Sequence, residues 1–156
     1  MNELVERIAA ALKARGLMLA AAESCTGGWV STACTALAGS SDWFERGYVT
    51  YSNAAKQEAL GVREDTIRRH GAVSEETARE MAAGALANSH AQVALAITGI
   101  AGPTGGTPAK PVGTVCFAWA QGSNMASETR RFDGDRESVR RQSVVHALQG
   151  VLARLQ

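Results

Sequence analysis

Apolar residues recur at Leu4, Ile8 and Leu12, and Gly16 follows the basic residues Lys13 and Arg15. A four-residue spacing with a basic last turn and a glycine stop predicts an amphipathic helix over residues 2–15. From Leu17 the period is lost: "LMLAAAES" is apolar with no polar face, the pattern of a strand buried on both sides. "TGGWVSTACTALAG", residues 26–39, predicts a helix that opens at its glycines and ends at Gly39. "RGYVTYS" alternates aromatic and β-branched residues and predicts a second strand. Asn53 is placed as the cap of a short helix through Leu60, with Gly61 closing it.

"EDTIRRHG" predicts a further turn or two of helix, and Ser74 before Glu75, Glu76 and Thr77 predicts an N-cap with acids in the first turn of a helix to about Ser89. "QVALAITG", "VGTVCFAWA" and "SETRRFDG" follow as third, fourth and fifth strands. The short connection through Gly122 to Met125 favours an antiparallel hairpin between the last two. Asp135 is expected to cap the final helix, in which Val145, Leu148, Leu152 and Leu155 form the core-facing stripe. Strands separated by helices early in the chain imply crossovers and parallel pairing, and the late hairpin adds antiparallel pairing. The expected architecture is one α/β domain over residues 1–156, a layered α/β/α sandwich on a mixed, partly parallel sheet of about five to six strands.

Composition narrows the function classes. The chain has 156 residues, 46% of them hydrophobic and 20% charged, with a formal net charge of +1 and 5% aromatics. Such a chain buries its own core, and it lacks the basic stripe or aromatic platforms of a nucleic-acid reader. No apolar run reaches the roughly 18 residues of a membrane span, and "MNELVERIAA" carries acids where a signal peptide has a basic start. The expectation is a cytoplasmic protein with neither nucleic acid nor membrane as partner. Cys25, Cys34 and Cys116 include no C-x-x-C pair, and His70, His90 and His146 stand apart. Neither a disulfide framework nor a metal site is expected, so the cysteines are read as reduced thiols.

Candidate chemistry collects at the predicted strand ends. Ser24 lies where a buried strand gives way to a helix, so its hydroxyl emerges at the carboxyl edge where open α/β sheets bind ligands. Thr26, Gly27 and Gly28 then form the helix opening, whose N–H groups attract an oxyanion or a phosphate. A plain capping role for Ser24 and Thr26 fits the local sequence equally well. "TYSNAAK", residues 50–56, is a second such junction. If Asn53 is the cap, Lys56 is the third helical residue, where the helix dipole and burial both disfavour its charged form. A neutral amine there serves as general base for a serine, with Tyr51 relaying a proton or orienting the pair. The competing reading is a solvated lysine beside a core tyrosine.

"TGIAGPTGG" leaves the third strand with glycines at 99, 102, 105 and 106. It does not have the dinucleotide spacing and precedes a strand, so it is either a nest of N–H groups or a set of turns. There is no G-x-S-x-G, S-x-x-K or P-loop. Cys25 is a rival nucleophile, since a thiol at a helix start can have a lowered pKa. Arg136 and Arg140, four apart, suit either a phosphate or a solvated basic face.

"AAESCTGG", "GYVTYSNAAK", "GAVSEETA", "ITGIAGPTGG" and "KPVGTV" occur in the order expected of the CinA C-terminal domain family, and the resemblance covers about residues 5–153. With no preceding domain, the chain resembles the stand-alone nicotinamide-nucleotide amidases of that family. The resemblance implies hydrolysis of nicotinamide mononucleotide to nicotinate mononucleotide and ammonia, with no cofactor or metal, on a commonly dimeric α/β sandwich. It sets the family's serine on Ser24, its lysine on Lys56 and its tyrosine on Tyr51. The substrate pocket implied is lined by Thr26, Gly27, Gly28, Asn53, Thr98, Gly99 and Gly102. One departure is visible: the family often has an acid before "KPVG", where this chain has Ala109. The alternative class is a non-catalytic nucleotide-binding or protein-interaction module that keeps the pocket without turnover.

Overall fold

A computed structural model describes residues 1–155. Helix α1 (Asn2–Arg15) leads into strand β1 (Leu19–Glu23), helix α2 (Trp29–Thr35) and strand β2 (Phe44–Val49). Helices α3 (Asn53–Leu60), α4 (Glu64–His70) and α5 (Glu75–Ala87) precede strand β3 (Val93–Gly99). Strands β4 (Thr114–Gln121) and β5 (Asn124–Arg131) and the long helix α6 (Arg136–Leu155) complete the chain.

The five strands form one sheet in the order β2-β1-β3-β4-β5. β1 pairs in parallel with β2 and β3, while β4 is antiparallel to both β3 and β5. The mixed sheet expected from the chain pattern is therefore present, with five strands. Helices α1, α2 and α6 pack on one face and α3, α4 and α5 on the other.

The two faces are built from alternate residues of the same strands, because strand side chains point to opposite sides with a period of two. Leu19, Leu95, Ile97, Phe117 and Trp119 face α1 and α6 in a core of large side chains. Burying each of the larger ones is worth about 1.5–3 kcal/mol. The other face is paved by Ala20, Ala22, Ala94, Ala96, Ala118 and Ala120, which let α5 lie close to the sheet. Gly84 of α5 in turn lets α3 approach, since a Cβ there would stand 1.9 Å from the Leu60 carbonyl oxygen. The register of the alternation fixes the edge of the sheet: Glu23 has the parity of the large-residue face, and Ser24, one residue on, that of the alanine face.

Several boundaries depart from the pattern-based expectation. α2 starts at Trp29 rather than at the glycines, because Gly27 and Gly28 have φ values of 58° and 101°, left-handed backbone that reverses the chain before the helix begins. It ends at Thr35, and a 3₁₀ turn over Ser40–Asp42 follows. Ser52, not Asn53, caps α3, its hydroxyl oxygen accepting from the Ala55 N–H at 3.0 Å. Lys56 is thus the fourth helical residue. α5 stops at Ala87, and β5 begins at Asn124, leaving Gly122 and Ser123 as the hairpin turn. The Asp135 cap is present, with Oδ1 accepting from Ser138 N–H at 2.9 Å. Val145 lies off the buried stripe of α6, which runs through Val144, Leu148, Val151, Leu152 and Leu155.

Candidate active site

β1 and β2 run in parallel, so their carboxyl ends deliver two junctions to the same edge of the sheet. Ser24 ends the first, and its backbone N–H is held by Ile97 O of β3 at 3.0 Å. The second turns through Thr50–Ser52 into α3, whose first turn carries Lys56 inward. The Lys56 Nζ donates to Ser24 Oγ at 2.9 Å. It also donates to Thr50 O at 2.9 Å and to Tyr51 O at 3.3 Å. Both groups are buried, with Ser24 7% and Lys56 1% exposed. Burial pushes the Lys56 amine below the ordinary lysine value, because a charge removed from water is disfavoured; a neighbouring Cys25 thiolate would oppose the shift. In the neutral form two N–H groups serve the two carbonyls and the lone pair faces the serine hydroxyl. That is the geometry of a general base on a nucleophile.

The turn after Ser24 differs from a simple helix opening. Oε1 of Glu23 accepts from Thr26 Oγ1 at 2.7 Å and Val30 N at 2.9 Å, and Oε2 accepts from Ser31 N at 3.0 Å and Ser31 Oγ at 2.8 Å. The first-turn amides of α2 that an anion was expected to use are therefore already taken. Among the described residues, the amides of Cys25, Thr26 and Gly28 in the turn itself donate to no carbonyl or carboxylate. The Thr26 hydroxyl, buried and bonded to Glu23, turns away from any ligand. Cys25 packs into the large-residue core, and burial pushes its thiol up to about 12, so it is held protonated there.

A cleft of about 630 Å³ opens beside this turn, walled by Thr26, Gly27, Gly28 and Trp29 and by Arg136 and Arg140 of α6. Arg140 Nε donates to Cys25 O at 3.0 Å and Nη2 to Thr26 O at 3.2 Å, and its guanidinium lies 5.4 Å from the Trp29 ring centroid. Arg136 Nη1 donates to Gly102 O at 2.7 Å and Nη2 to the Tyr51 hydroxyl at 3.1 Å. The Tyr51 ring is 61% exposed, so only its carbonyl touches Lys56. Thr98 is buried, its hydroxyl donating to Ala72 O at 2.8 Å. Gly99 lies against Cys25, whose Sγ would be 3.1 Å from a Cβ there. Asn53 is exposed on the first turn of α3. In the loop around Ala109, Lys110 Nζ donates to His70 O at 2.7 Å. Among the described residues, no three His, Cys, Asp or Glu side chains converge as a metal site would require. No helix of the described residues is long and apolar enough to cross a membrane.

Glu23 is a candidate for a functional role that the strand and helix pattern does not single out. A single acid inside a buried apolar run is a signal in itself, because such a group must find donors. The arginine contacts of Tyr51 and of the Ser24 turn depend on how α6 returns to the sheet edge and have no local signature.

The profile of the CinA C-terminal domain matches residues 1–155. The chain belongs to the CinA C-terminal domain family. Among its relatives in the family, the nicotinamide-nucleotide amidohydrolase PncC of Escherichia coli strain K12 is 55% identical over 150 residues, covering 96% of this chain and 91% of that protein. The protein of the same name from Pseudomonas putida is 54% identical over 152 residues, covering 97% and 95%. A crystal structure of a competence/damage-inducible protein from Agrobacterium tumefaciens superposes with a TM-score of 0.96 at 45% identity, covering 99% of this chain and 95% of that one.

Proposed function

We propose that this family member is a metal-independent amidohydrolase that converts nicotinamide mononucleotide to nicotinate mononucleotide and ammonia, a step of pyridine-nucleotide salvage. The observation that carries the reading is the 2.9 Å contact between two buried groups, Lys56 Nζ and Ser24 Oγ. Relatives named for this activity at 55% and 54% identity support the substrate class.

In this mechanism Ser24 Oγ attacks the carboxamide carbon as its proton passes to Lys56 Nζ. The oxyanion is met by the amides left free in the turn, those of Cys25, Thr26 and Gly28, each worth about 3–4 kcal/mol where such donors have been removed. The C–N bond then breaks as Lys56 returns the proton to the departing nitrogen, giving ammonia and an acyl-serine. A water molecule, deprotonated by the same amine, attacks the ester. Collapse releases nicotinate mononucleotide and restores the serine proton. Tyr51 enters through its carbonyl, which orients the amine. The cleft beside the turn accommodates the ribose and phosphate, with Arg140 offering Nη1, and Gly27, Gly28, Thr98, Gly99, Gly102 and Asn53 bordering the approach. The substrate's cationic ring makes its carboxamide more electrophilic, which eases attack by an alcohol. The working protein is taken to be a cytoplasmic homodimer that binds neither nucleic acid nor membrane.

Ammonia release from nicotinamide mononucleotide by the purified chain tests the reading. Turnover by the native chain and none by a folded Ser24→Ala variant is the expected result. No release from the native chain would favour a binding module that holds the nucleotide without hydrolysing it.

A further inference from the structure

Among the described residues, Glu23 and Lys56 are the only charged side chains that are buried, yet they do not pair with each other. Lys56 serves Ser24 on the alanine face. Glu23, 0% exposed, points to the other face and has four donors of its own. We propose that Glu23 is a positioning residue for the nucleophile, clamping the turn from Ser24 to Ser31 so that the serine and the free amides keep a fixed relation to Lys56. This inference rests on the reading of Ser24 as nucleophile.

The clamp is legible in where the donors come from. One carboxylate oxygen holds the middle of the turn through Thr26 Oγ1 and the start of α2 through Val30 N; the other holds both donors of Ser31. A side chain one residue before Ser24 therefore closes a loop on itself around the two left-handed glycines. By occupying the amides that open α2, it leaves those nearer Ser24 as the donors available to an oxyanion. A second element is shaped to the same purpose. Gly47 of β2 stands opposite Ala21 of β1, and a Cβ there would lie 2.2 Å from Ser31 Oγ, so the glycine leaves the room through which Ser31 reaches Glu23. A glutamine at position 23 would turn an NH₂ toward one pair of donors. The Thr26 or Ser31 hydroxyl can rotate to accept from it, but the Val30 or Ser31 amide cannot, and one buried N–H loses its acceptor.

The experiment compares Glu23→Gln, Ser31→Ala and the double variant in kcat, KM, pH–rate profile and melting temperature, with nicotinamide mononucleotide as substrate. Glu23→Gln is expected to lower kcat about 100-fold with KM within about threefold and the acidic limb unmoved, the pattern of an interaction realised in the transition state. Ser31→Ala removes fewer donors and lowers kcat by about 3- to 10-fold with KM unchanged, a part of the same loss. The double variant does no worse than Glu23→Gln alone, because both changes break one unit. A carboxylate that only supports the fold lowers the melting temperature and leaves kcat of the folded enzyme intact, which overturns the proposal. So do a loss confined to KM, losses that multiply in the double variant, or an acidic limb that moves, which would make Glu23 an electrostatic partner of Lys56. If Glu23→Gln does not fold, an unchanged kcat in Ser31→Ala overturns the proposal by itself. Ser24→Ala separates the two claims: residual full activity there removes the nucleophile, whereas an inert Ser24→Ala beside a fully active Glu23→Gln removes only the clamp.

Discussion

The junctions after β1 and β2 do the same task by different means. Each brings one polar atom into a dry site at the sheet edge. The first is sealed throughout: Glu23, Ser24, Cys25 and Thr26 are all buried, and the turn is held by an acid of its own. The second is open over Tyr51, Ser52 and Asn53 between the buried Thr50 and Lys56, and Lys56 is carried inward by a capped helix and anchored on two carbonyls of the turn it has just left. A short side chain such as serine has no reach, so the backbone beneath it must be fixed. A long side chain such as lysine supplies its own reach, so the backbone above it can remain exposed. Substitutions of Ser24 or of the bonds that fix the backbone beneath it should therefore be read in kcat, and those at exposed positions of the second should be mild.

The largest effect is expected at the end of the first junction. Ser24→Ala should lower ammonia release on the order of a million-fold with an unchanged melting profile, as loss of a nucleophile does in a unit that acts together. A residual rate within tenfold of native would break the comparison at its root.

Lys56→Met comes next, with kcat lower by about 10²- to 10⁴-fold. In the native chain the acidic limb of kcat/KM should follow the amine, since attack needs it neutral, and should lie well below about pH 10.4, in the direction burial imposes. Stability gives the same sign by another route. The folded chain holds the Lys56 proton less tightly than the unfolded chain, so the penalty is full below the folded pKa and fades as pH rises toward the ordinary lysine value. Denaturant unfolding should show Lys56→Met gaining most over the native chain at low pH, with the gap closing as pH rises. A gap that widens with pH would mean the amine is stabilised as a cation.

The unevenness of the two junctions also accounts for what the chain pattern disclosed. Helix α1 and the succession of five strands along the chain were legible because period and stop signals are local, as Leu4, Ile8, Leu12 and Gly16 illustrate. Ser24 and Lys56 were legible as candidates because each lies at a strand-to-helix junction, Ser24 directly after β1 and Lys56 in the short helix after β2. The clamp was not, since Glu23 reaches up to eight residues ahead and its importance depends on a helix starting at Trp29 instead of at the glycines. Nor were the Arg136 bonds to Tyr51 and Gly102, which link positions 85 and 34 residues apart that only the packing of α6 brings together.

A moderate effect is expected from Gly47→Ala. Its Cβ would displace Ser31 Oγ from Glu23, costing about 1–2 kcal/mol in denaturant unfolding and reducing kcat along with stability. Stability that falls with kcat untouched would separate Ser31 from catalysis. Cys25→Ala should keep kcat within about threefold, because the thiol faces the core and burial holds it protonated at neutral pH, while the lost packing lowers the melting temperature. An inert Cys25→Ala would return the nucleophile to the thiol.

Tyr51→Phe should be the mildest change, and it bears most directly on how the second junction works. From the sequence, Tyr51 was expected to relay a proton or to orient the pair. Its hydroxyl, however, accepts from Arg136 at the surface, while the atom of Tyr51 nearest the chemistry is the carbonyl oxygen on Lys56, which phenylalanine retains. Arg136 also keeps its bond to Gly102 O without the phenol. A hydrogen bond made by so exposed a ring competes with water, so kcat should stay within about twofold of native, with any change appearing in KM through Arg136. A relay predicts instead a fall of about 100-fold in kcat, since general acid–base groups contribute at least that much. That outcome would require the ring to swing inward when substrate binds and would make the second junction as closed in the working enzyme as the first.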